Sequence, residues 1–241
     1  MIPRRTVVQG LAGLPLAAIL ADPVLAQAAA DTTRLVKIHT AGGRDVAAAL
    51  AIPASTPAPA LLLVHEWWGL NDQIKAVAAD FAAQGYLTLA VDLFNGRVGT
   101  TADQARELMS AVKEDGAQDT LASWLQWLQN HNDSTRKIGT VGWCLGRGWS
   151  LRASTLVPVE ATVVYYGRVN LPKEQLSKLK GPVLGHFAKR DQHITADIVT
   201  PFEQTMTELG KPFEDFWYDA DHAFANPTGN NYVKDEAQLA W

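Results

Sequence analysis

The only cysteine of the chain, Cys144, sits in Gly142-Trp143-Cys144-Leu145-Gly146. A G-x-nucleophile-x-G run is the signature of a sharp turn from a strand into a helix, with the central residue strained and presented to a substrate. The flanking glycines let strand and helix approach closely. A thiol there is a candidate nucleophile, but with a pKa of about 8.5 it is mostly protonated at neutral pH, so a base must take its proton. That base needs a carboxylate to set its tautomer and stabilise its charged form. Both follow in the order nucleophile, acid, base: Asp191 in Ala188-Lys189-Arg190-Asp191-Gln192-His193, and His222 in Asp219-Ala220-Asp221-His222-Ala223-Phe224. Each has a plainer role when read alone: core filler for the cysteine, a helix N-cap for Asp191, a solvated loop residue for His222. Their order, each after a predicted strand, points instead to a site at the carboxyl ends of a parallel sheet.

Acyl transfer also needs donors for the oxyanion. The backbone N–H of Leu145 supplies one, and the second is expected after an earlier strand. That loop is His65-Glu66-Trp67-Trp68-Gly69-Leu70-Asn71-Asp72, where Trp67 would donate its N–H and Glu66 places a carboxylate beside two indoles. It is not a zinc motif, because Gly69 stands where H-E-x-x-H requires a histidine. One cysteine excludes an internal disulfide and a cysteine-rich zinc site. No metal is expected.

The elements that must position these residues alternate along the chain. Strands are predicted over 35–39, 46–52, 60–65, 87–91, 137–141, 162–166, 182–187 and 213–218, the first two as a hairpin around Gly42-Gly43. Ala60-Leu61-Leu62-Leu63-Val64 is continuously apolar, as befits a parallel strand covered on both faces. Helices are predicted over 72–84, with Gly85 as its stop, 115–131, 145–156 and 194–209, with Gly210 as its stop. The stripe of the second is Leu121, Trp124, Leu125 and Leu128. The alternation gives an α/β class: a mostly parallel sheet of about eight strands with helices on both faces.

The length of 241 residues, with 47% hydrophobic and 19% charged, suits one domain with a substantial core. A net charge of −4 without basic clusters gives no field for nucleic acid, and a small-molecule partner is expected. Residues 1–28 read as a leader: Arg4-Arg5, an apolar run over 7–21, then Ala26-Gln27-Ala28 as a cleavage signal. The paired arginines fit the twin-arginine route, giving a periplasmic or secreted protein without stable membrane insertion and a domain over 29–241. A membrane anchor is the alternative, but Gly10, Gly13, Pro15 and Asp22 leave too short a run to span.

Together these residues carry a family resemblance. His65-Glu66-Trp67-Trp68-Gly69-Leu70-Asn71-Asp72, Val91-Asp92-Leu93-Phe94, Gly142 to Gly146, Tyr165-Tyr166-Gly167, the Asp191 loop and Asp221-His222-Ala223-Phe224 occur in the order found in dienelactone hydrolases, or carboxymethylenebutenolidases. The likeness covers nearly all of residues 34–241. It implies an α/β-hydrolase fold without a large cap domain, a Cys144–His222–Asp191 triad, and Glu66 as an accessory carboxylate that helps deprotonate the thiol. It further implies an oxyanion hole from the N–H groups of Trp67 and Leu145, substrate contacts from Arg97, Trp68 and Tyr166, and no cofactor; a monomer is expected. Arg97 resembles the family arginine that binds a substrate carboxylate. Three departures stand out: Asn226 replaces the family's second carboxylate-binding arginine, Arg147 replaces a glycine, and the chain ends at Trp241 inside the expected last helix.

The expected activity is cysteine-dependent hydrolysis of an enol lactone or activated ester through a thioester. A thiolate leaves a tetrahedral intermediate more readily than an ordinary alkoxide, so a good leaving group is needed for the acyl-enzyme to form. Asn226 favours the alternative of a carboxylesterase or lactonase for a substrate without the dienelactone carboxylate. A non-catalytic protein keeping the fold, with Cys144 inert, is the third reading. Trp67, Trp68 and Trp143 offer a flat wall for a ring.

Overall fold

The computed structural model describes residues 15–144 and 148–241. It contains an eight-stranded, mostly parallel sheet, the α/β architecture the alternation requires. The chain divides into two compact units, Met1–Lys137 and Ile138–Trp241.

In the first unit, β1 (Arg34–His39) and β2 (Asp45–Ala51) form the antiparallel hairpin around Gly42-Gly43, and β2 pairs antiparallel with β4 (Leu87–Val91). β4 runs parallel to β3 (Ala58–Val64), with Leu62 beside Leu89 and Val64 beside Val91. These four side chains are buried, which is why the strands read as unbroken apolar runs.

Helix α1 (Leu16–Ala21) and helix α2 (Pro23–Ala30) precede the sheet, and their buried Ile19, Leu20, Ala26, Ala29 and Ala30 belong to the core. Asp22 joins them by accepting from the N–H groups of Val24 at 2.8 Å and Leu25 at 3.3 Å, with Pro23 in the first turn. Both pack against α3 (Asp72–Ala83), itself capped by Asn71 and followed by Gly85 at a φ of 99°. The stretch from Pro15 to Ala28, expected as leader, is therefore helical and packed, and the bond after Ala28 falls inside α2. Arg4 and Arg5 lie outside the described residues.

The expectation left 101–112 without a helix, whereas α4 (Ala102–Ala111) forms there. Its interior buries only Ala105 and Leu108, too few for a periodic signal. The missed cue is Thr101-Ala102-Asp103-Gln104, a capping box in which Thr101 accepts from the Gln104 N–H and Gln104 accepts from the Thr100 N–H. Helix α5 (Glu114–Asn130) follows, burying the expected Leu121, Trp124, Leu125 and Leu128.

In the second unit the strands run parallel in the order β5 (Ser134–Trp143), β6 (Ala161–Tyr165), β7 (Val183–Ala188) and β8 (Phe213–Tyr218). Helix α6 (Trp149–Leu156) lies between β5 and β6, the short α7 (Lys173–Leu176) before β7, α8 (Ala196–Glu208) before β8, and α9 (Lys234–Ala240) closes the chain. One apolar cluster, with Val164, Phe187, Ile194, Phe202 and Met206 at its heart, packs α8 onto these strands.

Candidate active site

At Cys144 the backbone takes a φ of 67°, a left-handed conformation that L residues with a side chain avoid. It is held there because the Cys144 N–H donates to Tyr165 O at 3.0 Å and α6 begins only a few residues on. Helix and strand are in close contact: a Cβ on Gly142 would stand 2.7 Å from Ser150 Oγ and 2.8 Å from its Cβ. Beneath the turn, buried hydroxyls lock α6 to both strands. Thr140 and Ser154 pair at 2.8 Å, Thr162 donates to Ser154 at 2.6 Å, and Ser154 donates to Ser150 O at 3.0 Å. Gly148, at a φ of 64°, starts α6 so close to Arg168 O that a Cβ would collide with it. The described helix runs from Trp149, and the expected start at 145 lies outside the described residues. Leu145 and Arg147 lie outside the described residues, and so does Gly146.

Asp191 and His222 come from the loops after β7 and β8, adjacent parallel strands. Asp191 Oδ1 accepts from the backbone N–H groups of His193 at 2.8 Å and Ile194 at 3.1 Å. Its Oδ2 lies 2.6 Å from His222 Nδ1. Burial works to raise the Asp191 pKa, but the hydrogen bonds from His222, His193 and Ile194, with the His222 charge, together hold it below the usual carboxylate value. An ionised carboxylate accepts only, so Nδ1 carries the proton and the Nε2 lone pair faces the nucleophile. Nε2 stands 3.4 Å from Cys144 Sγ. The helix N-cap considered for Asp191 falls instead to Thr195; one Asp191 oxygen holds loop N–H groups ahead of α8 while the other orients the histidine.

His222 is fixed on its other sides. Asn231 Nδ2 donates to His222 O at 2.9 Å, and the rings of Tyr166 and His193 meet it edge-on with centroids 5.2 and 5.8 Å away. Tyr166, expected as a substrate contact, is fully buried against His222 and Phe224 and has a φ of 39°. Asn226 is buried too, and its Oδ1 accepts from the Thr228 N–H at 2.9 Å and from the Thr228 hydroxyl at 2.7 Å. Trp143 stacks on Tyr165 and lies against Trp241.

In the first unit, the loop after β3 carries Glu66, Trp67 and Trp68, and that after β4 carries Arg97. The two loops are tied together: His65 Nε2 accepts from the Leu93 N–H at 3.2 Å, and Gly99 donates to Trp68 O at 2.9 Å. Buried His65 is held by its Nδ1 contact to Glu66 O at 2.5 Å and by the Phe94 ring edge. Its pKa is lowered because burial disfavours the charged form. Glu66 is buried, Trp67 and Trp68 are half-buried with ring centroids 4.9 Å apart, and Arg97 is exposed, 3.8 Å from Glu107. Among the described residues no cluster of three or more His, Cys, Asp or Glu side chains could hold a metal.

The signals missed in the sequence are Arg190 and Asn231, which brace the acid and base loops, and Ser150, which stands where a Gly142 side chain would go. None belongs to a short motif.

The dienelactone hydrolase family model matches residues 46–241. A protein of Saccharolobus solfataricus named "Putative carboxymethylenebutenolidase" is 29% identical over 243 residues, covering 84% of this chain and 93% of its own. The carboxymethylenebutenolidase of Pseudomonas putida is 27% identical over 223 residues, covering 86% and 92%. Among solved structures, a dienelactone hydrolase-like promiscuous phosphotriesterase from metagenomic libraries shares the fold with a TM-score of 0.78 at 16% identity, covering 87% of this chain and 95% of that one. With the model matching most of its length, the chain belongs to the dienelactone hydrolase family.

Proposed function

We propose that this hydrolase of lactones and esters works through Cys144 as a covalent nucleophile, with His222 as its base and Asp191 as the orienting carboxylate. The observation that carries the reading is the relay Sγ–Nε2 at 3.4 Å and Nδ1–Oδ2 at 2.6 Å, built on a nucleophile whose backbone is strained. His222 Nε2 takes the thiol proton as Sγ bonds to the substrate carbonyl carbon, whose π electrons move to oxygen. The intermediate collapses by expelling the enolate or aryloxide, which receives the proton from His222, and a thioester remains. In a lactone the leaving oxygen stays tethered to the acyl chain. Water then loses a proton to His222 and attacks the thioester, releasing the carboxylic acid and restoring the thiol.

Family membership and sequence position support Glu66 as the accessory carboxylate, the N–H groups of Trp67 and Leu145 as oxyanion donors, and Arg97 as the partner of a substrate carboxylate. A second reading concerns the substrate. Asn226 occupies the place of a family arginine with its side-chain oxygen committed to Thr228, which favours lactones or esters lacking the dienelactone carboxylate. The paired arginines and Ala26-Gln27-Ala28 support export across the inner membrane; a mature N-terminus at residue 29 in a periplasmic fraction is the expected result, and an intact N-terminus there would refute cleavage.

The test is hydrolysis of an enol lactone and of an activated aryl ester by the wild type and Cys144→Ala. The wild type should turn over both and trap a thioester adduct under acid quench, detected by mass. The variant should lose at least about 10³-fold in kcat. Comparable turnover by the variant would overturn the thiol mechanism.

A further inference from the structure

Arg190 precedes the acid in sequence, and Asp221 precedes the base. The ladder between β7 and β8 continues beyond both strands, with the Lys189 N–H donating to Tyr218 O at 2.9 Å and the Arg190 N–H to Ala220 O at 3.0 Å. From that backbone the guanidinium reaches across to the histidine loop. It donates to the Asp219 carboxylate, to Asp219 O at 3.0 Å, and from Nε to Asp221 Oδ2 at 3.5 Å. One side chain therefore spans the loop that delivers Asp191 and the loop that delivers His222, while Asn231 separately holds His222 O.

We propose that Arg190 is a positioning residue that sets the separation of Asp191 and His222 and neutralises the acidic pair behind the histidine. The inference rests on the reading of His222 as the base for Cys144. Stability alone does not explain the arrangement. The three side chains are about half exposed or more, and such surface ion pairs contribute little to folding. Their position matters because a shift of a few tenths of an ångström in the 2.6 Å contact changes how well Nδ1 is held and where Nε2 points. The charge matters as well. Among the described residues of this unit the titratable and charged groups around His222 are Cys144, Asp191, His193 and Tyr166, with Asp219, Asp221 and Arg190 on its loop and the one beside it. Without the guanidinium, the two carboxylates would oppose formation of a thiolate.

Because Cys144 is the only thiol, its alkylation by iodoacetamide, followed by mass across pH, reads the Cys144–His222 pair without any substrate. For Arg190→Ala the midpoint of alkylation should move up by about half a pH unit, from the lost charge and the looser pair. With an activated aryl ester, kcat should fall about 5- to 20-fold while KM stays within about twofold. Arg190→Lys, which keeps the charge but not the fork, should restore the midpoint and only part of kcat. Lys173→Ala is the control; it breaks a surface pair with Glu208 in the same unit and should move neither quantity. An Arg190→Ala protein that melts earlier but keeps the wild-type midpoint and kcat would overturn the proposal. A wild type that alkylates like a free thiol would instead remove the underlying reading, and the role of Arg190 with it.

Discussion

In the second unit the Cys144 and Asp191 side chains are buried and that of His222 keeps only 15% exposure, whereas in the first unit Arg97, assigned to recognition, stands exposed on a loop whose backbone is well anchored. Asp191 has a side chain with 0% exposure and three hydrogen bonds to its two oxygens. Arg97 keeps 57% of its side chain exposed and meets Glu107 only at 3.8 Å. Both regions sit on loops after parallel strands, so position in the fold does not distinguish them. What differs is the freedom left to the side chain. Proton transfer and nucleophilic attack depend on tenths of an ångström; gripping a carboxylate or a ring tolerates a mobile partner. The mechanism can therefore persist while the substrate changes at a side chain such as Arg97; Asn226, in the place of a family arginine, is by contrast buried in the second unit with its Oδ1 held by Thr228.

The strongest test of the rigid side is Asp191→Asn. The amide can still accept from the His193 and Ile194 N–H groups, so the loop should survive, but its NH₂ would favour an Nδ1 that accepts and an Nε2 that carries the proton. The base is then blocked toward the thiol. A loss of about 10³- to 10⁴-fold in kcat with little change in KM is expected from steady-state kinetics on an activated ester. A loss below tenfold would mean that the pairing of Asp191 and His222 orients nothing of consequence.

That rigid side was also the more legible. Cys144, Asp191 and His222 could be found because chemistry restricts residue type and chain order, and each stands after a strand legible in the sequence. Ends of elements were less visible: β5 begins at Ser134 rather than 137, and α8 at Ala196 rather than 194, because hydrogen-bond registry and the Thr195 cap decide them. Arg190 and Asn231 escaped notice because their partners lie 29 and 9 residues away and their roles exist only once two strands are adjacent. Within the expected leader over 1–28, the alanines and leucines from 16 onward form helices that pack on α3, a packing that composition alone does not show.

On the adaptable side, Arg97→Ala should raise KM about tenfold for lactones or esters bearing a carboxylate and leave neutral aryl esters unchanged, since a charge-assisted bond to an exposed side chain is at the weak end of its range. Equal effects on both substrate classes would assign Arg97 a structural role and erase the contrast between the units. No effect on either would place carboxylate recognition elsewhere.

The smallest effect concerns what the rigid side costs in acid. His186 on β7 lies stacked on Tyr165 and beside Phe216, with Nδ1 2.8 Å from the Tyr218 hydroxyl, and burial lowers its pKa from 6.5 to about 4. Between those values the unfolded chain binds a proton that the folded chain does not, so stability falls as pH drops from 6.5 toward 4. Asp191 acts in a lower window: its depressed pKa gives stability present above the ordinary carboxylate value and lost only below it. The two contributions therefore separate. His186→Gln should lower stability at pH 7 through the lost stacking, yet flatten the slope of unfolding free energy by roughly 1 kcal/mol per pH unit between pH 4 and 6.5, measured by urea unfolding at several pH values. An unchanged slope would mean that His186 protonates in place. His65 in the first unit is lowered by burial in the same sense, so any acid slope that remains in the His186 variant is the part to seek there.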